Sequence, residues 1–343
     1  MSLNFPYENG VVSVLRGHWQ LTLKTPLFIR QGIKASFKQQ SNHLKKGRGE
    51  GVAISWKQKP AGRSETEWSE LSDFNYHFAV GEQSQLEVQY SIPASSIRGA
   101  LRQWAIKQLV EREDWRFFTL EEIKSKSSEQ LAEQMQKART YLEDSKNRWR
   151  DVHSLFGIVY DLQANHNDPL TWAGRLRLTT KIAGEAASKF IDASGKKIKC
   201  EGGPQNIAGH VSVRNPLDRV TVAAKEGGLH FGLEMSEEQC FHVDFHILNF
   251  RSTDSELLDL WCQDIDAGFL RFGGLTSQGR GRVQLSSERY QFFASPVSPL
   301  FDEVKKLGAL DLSKDLLFGG IWIGAELTRS QLSTLGLPMP AQS

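Results

Sequence analysis

Apolar and polar side chains alternate from Phe241 to Leu248, with Phe241, Val243, Phe245 and Ile247 on one face and His242, Asp244 and His246 on the other. That period of two predicts a half-buried strand. Trp19 to Leu27 alternates in the same way, and Gly281 to Leu285 reads as a short closing strand. Helical spacing takes over from Ile97 to Val110, where Ile97, Leu101, Trp104, Ala105 and Leu109 share one side. It recurs from Ser255 to Ala267 through Leu257, Leu258, Trp261 and Ile265. The stretch from Leu120 to Lys146 is rich in Glu, Lys, Gln and Ala, lacks Gly and Pro, and predicts a surface helix or helix pair. The order strand, helix, strands, helix, strand suits an α+β, ferredoxin-like core of the split-βαβ kind. Insertions at about 30–90, 112–150 and 181–210 decorate a domain spanning 1–290, and 291–343 forms a C-terminal extension. No repeat at solenoid spacing is evident.

With 343 residues and 39% hydrophobic content, the chain is long enough for one elaborated domain or two. The N-terminus has no basic segment followed by an apolar one, and the apolar run from Leu316 to Leu327 is too short to span a bilayer. Expectation therefore falls on a cytoplasmic protein with no membrane partner. Cys200, Cys240 and Cys262 are odd in number and widely spaced, which suggests neither a disulfide framework nor a zinc site. No neighbouring His or Asn marks any of them as a nucleophile.

Charge changes the picture more than composition does. Nine Lys or Arg lie between Arg30 and Arg63, among them Lys45, Lys46 and Arg48, against the single acid Glu50. Phe37, His43 and Trp56 are interleaved with them. Cations that release counterions and rings that stack are the two components of single-strand nucleic-acid binding, although a solvated Gly-rich loop gives the same pattern.

Two further runs carry phosphate-binding chemistry. In IPASSIRGALR, Ile92 to Arg102, Pro93 ends the preceding extended segment and Ser95 or Ser96 is placed to cap a helix, with Arg98 and Arg102 on one face beside its positive end. An ordinary cap with two solvated arginines is the plainer alternative. In RFGGLTSQGRGR, Gly273, Gly274, Gly279 and Gly281 allow close backbone approach to a ligand, and Arg271, Arg280 and Arg282 supply charge. A nucleotide P-loop is excluded, because Arg280 and Gly281 stand where Lys and Ser/Thr are needed and the loop leads from helix to strand. His242, Asp244 and His246 could converge on a transition metal, but a polar sheet face toward RNA or solvent explains them as well.

Four ordered landmarks resemble the RAMP superfamily of CRISPR proteins, and in particular the backbone subunits of type III (Csm/Cmr-like) effector complexes. They are IPASSIRGALR at 92–102, LFG at 155–157, VRNPLDRVTVAAKEGGL at 213–229 and GGLTSQGRGRV at 273–283. The resemblance implies an RNA-recognition-motif-like palm with a thumb hairpin near the LDRVT segment. It also implies a chain that binds CRISPR guide RNA and meets single-stranded target RNA beside other subunits of a heteromeric complex. By resemblance Ser95, Ser96, Arg98, Arg102, Arg271, Gly273, Gly274, Ser277, Arg280 and Arg282 contact guide phosphates, with Arg214 and Arg219 near the thumb base.

Many members carry a catalytic Asp in the loop after the first strand, whereas this loop begins Arg30-Gln31-Gly32 and offers no Asp before Asp73. Asp73, beside His77, is therefore the candidate for metal-dependent target cutting, with a plain strand-edge Asp as the alternative reading. No tightly bound cofactor is expected, and a divalent metal such as Mg2+ is called for only if target RNA is cut. The rival function is a precursor-processing endoribonuclease of the same superfamily, with His18 or His43 as general base.

Overall fold

The computed structural model describes residues 10–38, 53–55, 68–80, 84, 86–109, 129, 148–160, 170–184, 189–191, 197–201, 206–214, 230–307 and 322–335. Along the chain these form β1 (Ser13–Leu23), β2 (Arg30–Lys38), β3 (Ala53–Ser55), β4 (Trp68–Phe74), β5 (Tyr76–Val80) and β6 (Leu86–Tyr90), then helices α1 (Ala94–Leu109) and α2 (Arg148–Phe156). There follow β7 (Gly157–Tyr160), β8 (Leu170–Ala173), β9 (Leu176–Ala183), β10 (Lys189–Ile191), β11 (Lys199–Glu201), β12 (Ala208–Arg214), β13 (His230–Met235) and β14 (Cys240–Leu248). Helix α3 (Ser252–Ala267), β15 (Val283–Ala294), α4 (Phe301–Lys306), β16 (Ile323–Leu327) and α5 (Arg329–Leu332) complete the order. Apart from residue 129, the helical stretch expected over Leu120 to Lys146 lies outside the described residues.

The first sheet runs β16-β15-β1-β14-β9, every neighbouring pair antiparallel. Leu15, Trp19, Leu21 and Leu23 of β1 and Phe241, Val243, Phe245 and Ile247 of β14 face one side and are buried. Against that side pack Ile97, Leu101 and Ala105 of α1 and Leu257, Leu258, Trp261 and Ile265 of α3. The two periodicities thus meet in one α/β core. Trp19 donates its indole N–H to the Tyr290 hydroxyl at 2.9 Å, which satisfies the polar atom that burial would otherwise strand.

β1 begins earlier and stops sooner than its sequence pattern predicts. Ser13 to Leu15 are buried and pair with β14 and β15, whereas the Lys24-Thr25-Pro26 bend ends the strand and Leu27 contributes only a bridge to Met235. The closing strand is also longer than Gly281 to Leu285. β15 continues across residue 291 to Ala294, and β16 pairs with it from Tyr290 to Ala294.

The segments expected as insertions at 30–90 and 181–210 do not remain separate decorations. Seven strands from them and from β13 build a second sheet, ordered β10-β12-β13-β4-β2-β3-β11, in which β10/β12, β11/β3 and β13/β4 are parallel. β5 and β6 form a separate hairpin.

One buried ion pair ties the helical layer to the first sheet. Arg175 and Asp254 are both 0% exposed and meet in a bidentate fork, Nη1 to Oδ2 at 2.6 Å and Nη2 to Oδ1 at 2.8 Å. Arg175 also donates to Ser154 Oγ of α2 at 2.8 Å and to the Asn249 carbonyl after β14 at 3.1 Å. Asp254 accepts the Arg251 N–H at 2.8 Å, fixing the first turn of α3.

Candidate nucleic-acid interface

The connection after β1, the first turns of α1, the end of β12 and the loop between α3 and β15 converge on one cleft of about 640 Å³, lined by Phe28, Ile29, Arg30, Ser96, Ala100, Arg214, Gly273, Gly274 and Leu275. Three landmark segments read from the sequence therefore meet in space.

The Gly-rich loop is held in place by backbone hydrogen bonds to the connection after β1. Gly274 N–H donates to the Phe28 carbonyl at 2.8 Å, Gly281 N–H to Pro26 O at 2.9 Å, and Phe272 N–H to Gly281 O at 2.9 Å. Gly281 is required twice over: its φ is +75°, and a Cβ there would lie 1.8 Å from the Phe272 carbonyl oxygen. Gly273, at φ +78°, lets the loop approach the Phe28 carbonyl, which a Cβ would meet at 2.7 Å. A short helical turn, Thr276–Gln278, carries Ser277 at the exposed tip.

Near the cleft-lining Arg214 lies one buried carboxylate. Glu234, whose side chain is 0% exposed, receives Arg280 Nε at 2.7 Å and lies 3.4 Å from His210 Nε2. Burial opposes its charge, but the hydrogen bond from His210 and the Arg280 guanidinium together hold the carboxyl below its ordinary range. Arg214 and Arg30 lie over the Phe28 ring at 4.8 Å and 5.4 Å. Burial first, then the neighbouring Arg30, lowers the Arg214 pKa. Its Nε and Nη2 are buried and lack a hydrogen-bond partner among the described residues. An anion entering the cleft would supply what these donors lack.

Several expected site residues occupy other positions. Helix α1 begins at Ala94, so Ser95 and Ser96 lie within its first turn, and Pro93 supplies the carbonyl that receives the Ser96 N–H at 2.9 Å. Ser96 lines the cleft and Ser95 is exposed. Arg98 and Arg102 do not line it. Arg98 Nη2 donates to the Phe156 carbonyl at the end of α2, and Arg102 lies beside buried His153. Arg271 braces the loop from within, donating to the Gly268 and Thr276 carbonyls at 3.1 Å each. Arg280 is engaged by Glu234, while Arg282 is exposed on the strand side of the loop. Lys45, Lys46, Arg48, Arg219 and His43 lie outside the described residues, as does the segment 215–229 that would form a thumb hairpin.

Asp73 requires correction as the catalytic candidate. It is 1% exposed, and its Oδ1 accepts the Phe74 N–H at 2.8 Å and the Tyr90 hydroxyl at 3.1 Å. A carboxylate enclosed in the core between two strands cannot reach a metal on an RNA 2′-hydroxyl. Nor do His242, Asp244 and His246 converge on a metal. Asp244 accepts from His18 Nδ1 at 2.7 Å, His246 Nε2 accepts from Arg16 Nε at 3.2 Å, and no group of three or more His, Cys, Asp or Glu fit for a metal occurs among the described residues. Cys262 is inert as a nucleophile, because burial pushes its thiol up to about 12.

Phe28, Arg30 and Glu234 are the site residues that sequence reasoning missed. The signal for Arg30 lies in the basic stretch that it opens, but its partner Phe28 falls just past the strand predicted over Trp19 to Leu27 and carries no signal of its own. Glu234 carries no local sequence signal, since only the pairing of β12 with β13 brings it beside His210.

Residues 20–284 match the family model of the RAMP superfamily. Among solved structures, a chain of a "Type IV-B CRISPR Complex" is similar at 11% sequence identity, over 80% of this chain and 90% of that one, with a TM-score of 0.41. No curated protein matches the sequence.

Proposed function

The chain belongs to the RAMP superfamily, and from that premise we propose that it is a guide-RNA-binding backbone subunit of a CRISPR ribonucleoprotein of the type III kind, working beside other subunits and a single-stranded target RNA. The order β15-β1-β14-β9, with α1 and α3 in the two crossovers, supports a ferredoxin-like palm in this reading. The resemblance of the four ordered landmarks to type III backbone subunits supports the class.

The observation that carries the reading is the cleft in which Arg30, Arg214, Ser96 and the Gly273-Gly274 backbone face one space. Two guanidiniums neutralise phosphate, the Ser96 hydroxyl donates to a phosphate oxygen, and the Gly-rich backbone allows close approach. None of these groups reads a base edge in a fixed register, so binding is sequence-tolerant. Ser95, Ser277 and Arg282 extend the contact along the exposed rim.

The test is filter binding of unrelated single-stranded RNAs from 50 to 200 mM salt. Each phosphate contact on a single strand contributes about 0.7 to the slope of log K against log salt, so Arg30→Ala with Arg214→Ala should flatten it by about 1.4. Over a fourfold salt range that removes roughly sevenfold of the salt sensitivity. An unchanged slope would reject the cleft as the RNA path.

A second reading, precursor-processing endoribonuclease, is favoured by the bond between His18 Nδ1 and Asp244 Oδ1, which leaves His18 Nε2 available as a base. Cutting of repeat RNA by the purified chain in chelator, abolished by His18→Ala, would support it; intact RNA would reject it.

A further inference from the structure

Helix α1 has two distinct sides. Ser96 and Ala100 line the cleft, whereas Arg98 and Arg102 point toward α2 and the β9 edge. Burial first, then the charges of Arg177 on β9 and of Arg102, lower the Arg98 pKa. Beyond Thr179 on the same face of β9 comes Lys181, and antiparallel register sets Arg177 opposite His246 and Lys181 opposite His242. That face of the sheet is turned away from the core.

Among the described residues these cations have no ion-pair partner. Arg102 Nε is buried without a partner, no hydrogen bond or ion pair joins Arg177 or Lys181 to another described residue, and Asp244, which the register sets opposite Thr179 between them, is engaged by His18. His153 adds no charge, since burial, with Arg102 beside it, lowers its pKa to about 3. Like charges gathered without a counterion raise the energy of the free protein, and a polyanion relieves that repulsion. Arg177 and Lys181 are four strand residues apart, about 13 Å, a spacing that suits an extended phosphate backbone better than one small anion.

We propose that a second stretch of single-stranded RNA, separate from the one in the cleft, crosses the β9 edge and is held by Arg98, Arg102, Arg177 and Lys181. This rests on the reading of the chain as an RNA-binding subunit and adds to it a second track on the other side of α1. The RNA passes from the α1 side around the β9 edge onto the open sheet face, where His242 lies opposite Lys181.

The test counts bound strands. A labelled oligouridylate of about six nucleotides, near the lower end of single-strand site sizes, is titrated at low salt into the full chain. The parent should bind two per chain, and Arg177→Ala with Lys181→Ala should bind one, as should Arg30→Ala with Arg214→Ala. Arg177 and Lys181 are exposed and unpaired among the described residues, so their replacement leaves the core intact, which circular dichroism checks. One oligonucleotide per chain in the parent, unaffected by the β9 pair, would overturn the second track while leaving the cleft in place. No binding by any form would reject the RNA-binding reading itself. Loss of self-association on changing the β9 pair, with RNA stoichiometry untouched, would make this edge a protein contact and equally overturn the proposal.

Discussion

Replacing Arg175 by Met should destabilise the protein far more than most single substitutions, and the structure shows how much. The guanidinium forms a fork with Asp254 and donates to Ser154 Oγ and to the carbonyls of Leu248 and Asn249, all inside the protein. Met fills similar space but leaves Asp254 charged and buried, with the Arg251 N–H as its remaining donor in that network. Removing one partner of a buried pair costs about 3–5 kcal/mol, because the other charge stays desolvated. Arg175→Met with Asp254→Leu removes the stranded charge and should recover part of that loss. The recovery is incomplete, since two carbonyls lose a donor and α3 loses its first-turn acceptor, the latter worth about 1 kcal/mol. Urea unfolding followed by the fluorescence of buried Trp19 and Trp261 measures both variants. At about 2 °C per kcal/mol for a chain of this size, the single variant should melt roughly 6–10 °C lower. The reasoning is refuted if Arg175→Met costs less than about 1 kcal/mol, or if the double variant is no more stable than the single one.

His153 is buried at 1% exposure with a pKa lowered to about 3, against 6.5 for an ordinary imidazole, so between those values the unfolded chain binds a proton that the folded chain does not. Stability therefore falls on acidification below pH 6.5 at about 1.4 kcal/mol per unit, and urea midpoints measured from pH 7 to pH 5 should fall less steeply in His153→Gln than in the parent. Gly281→Ala forces a Cβ against the Phe272 carbonyl at positive φ and should cost roughly 1–3 kcal/mol; because the loop lines the cleft, oligouridylate affinity should drop with it, whereas full affinity in a destabilised variant would separate loop geometry from binding.

The elements of the first sheet were legible where periodicity is strong and the segment is complete in itself. Phe241 to Leu248 and Leu257 to Ile265 carry their faces in their own residues, and the structure extends those elements only to Cys240 and Ser252. The second sheet was illegible for the opposite reason. Its strands include three of only three residues, and pairs such as β13 with β4 join segments more than 150 residues apart. No local pattern encodes such a pairing. Within the site, the Gly-rich loop was readable because glycine types report backbone geometry directly. Arg98 and Arg102 were correctly read as sharing a face, but which face of α1 meets the loop depends on how Ile97, Leu101 and Ala105 seat the helix on the sheet. Asp73 misled for a related reason: its acceptance of the Tyr90 hydroxyl depends on a residue seventeen positions away, in the next hairpin.

The pairing of β16 with β15 bears on solubility. Five residue pairs, from Tyr290 with Leu327 to Ala294 with Ile323, cover the outer edge of a strand whose Tyr290, Phe292 and Phe293 are buried. A chain cut after residue 300 would keep the α1–α3 core yet present that edge bare, with unpaired N–H and C=O groups beside aromatic side chains. Such an edge recruits strands from other molecules, so the shortened protein would be expected to precipitate or form edge-to-edge oligomers at concentrations where the full chain stays dispersed. The segment after residue 300, about one eighth of the sequence, thus acts as a built-in stopper against aggregation, a role set by backbone pairing and independent of any residue that touches a ligand.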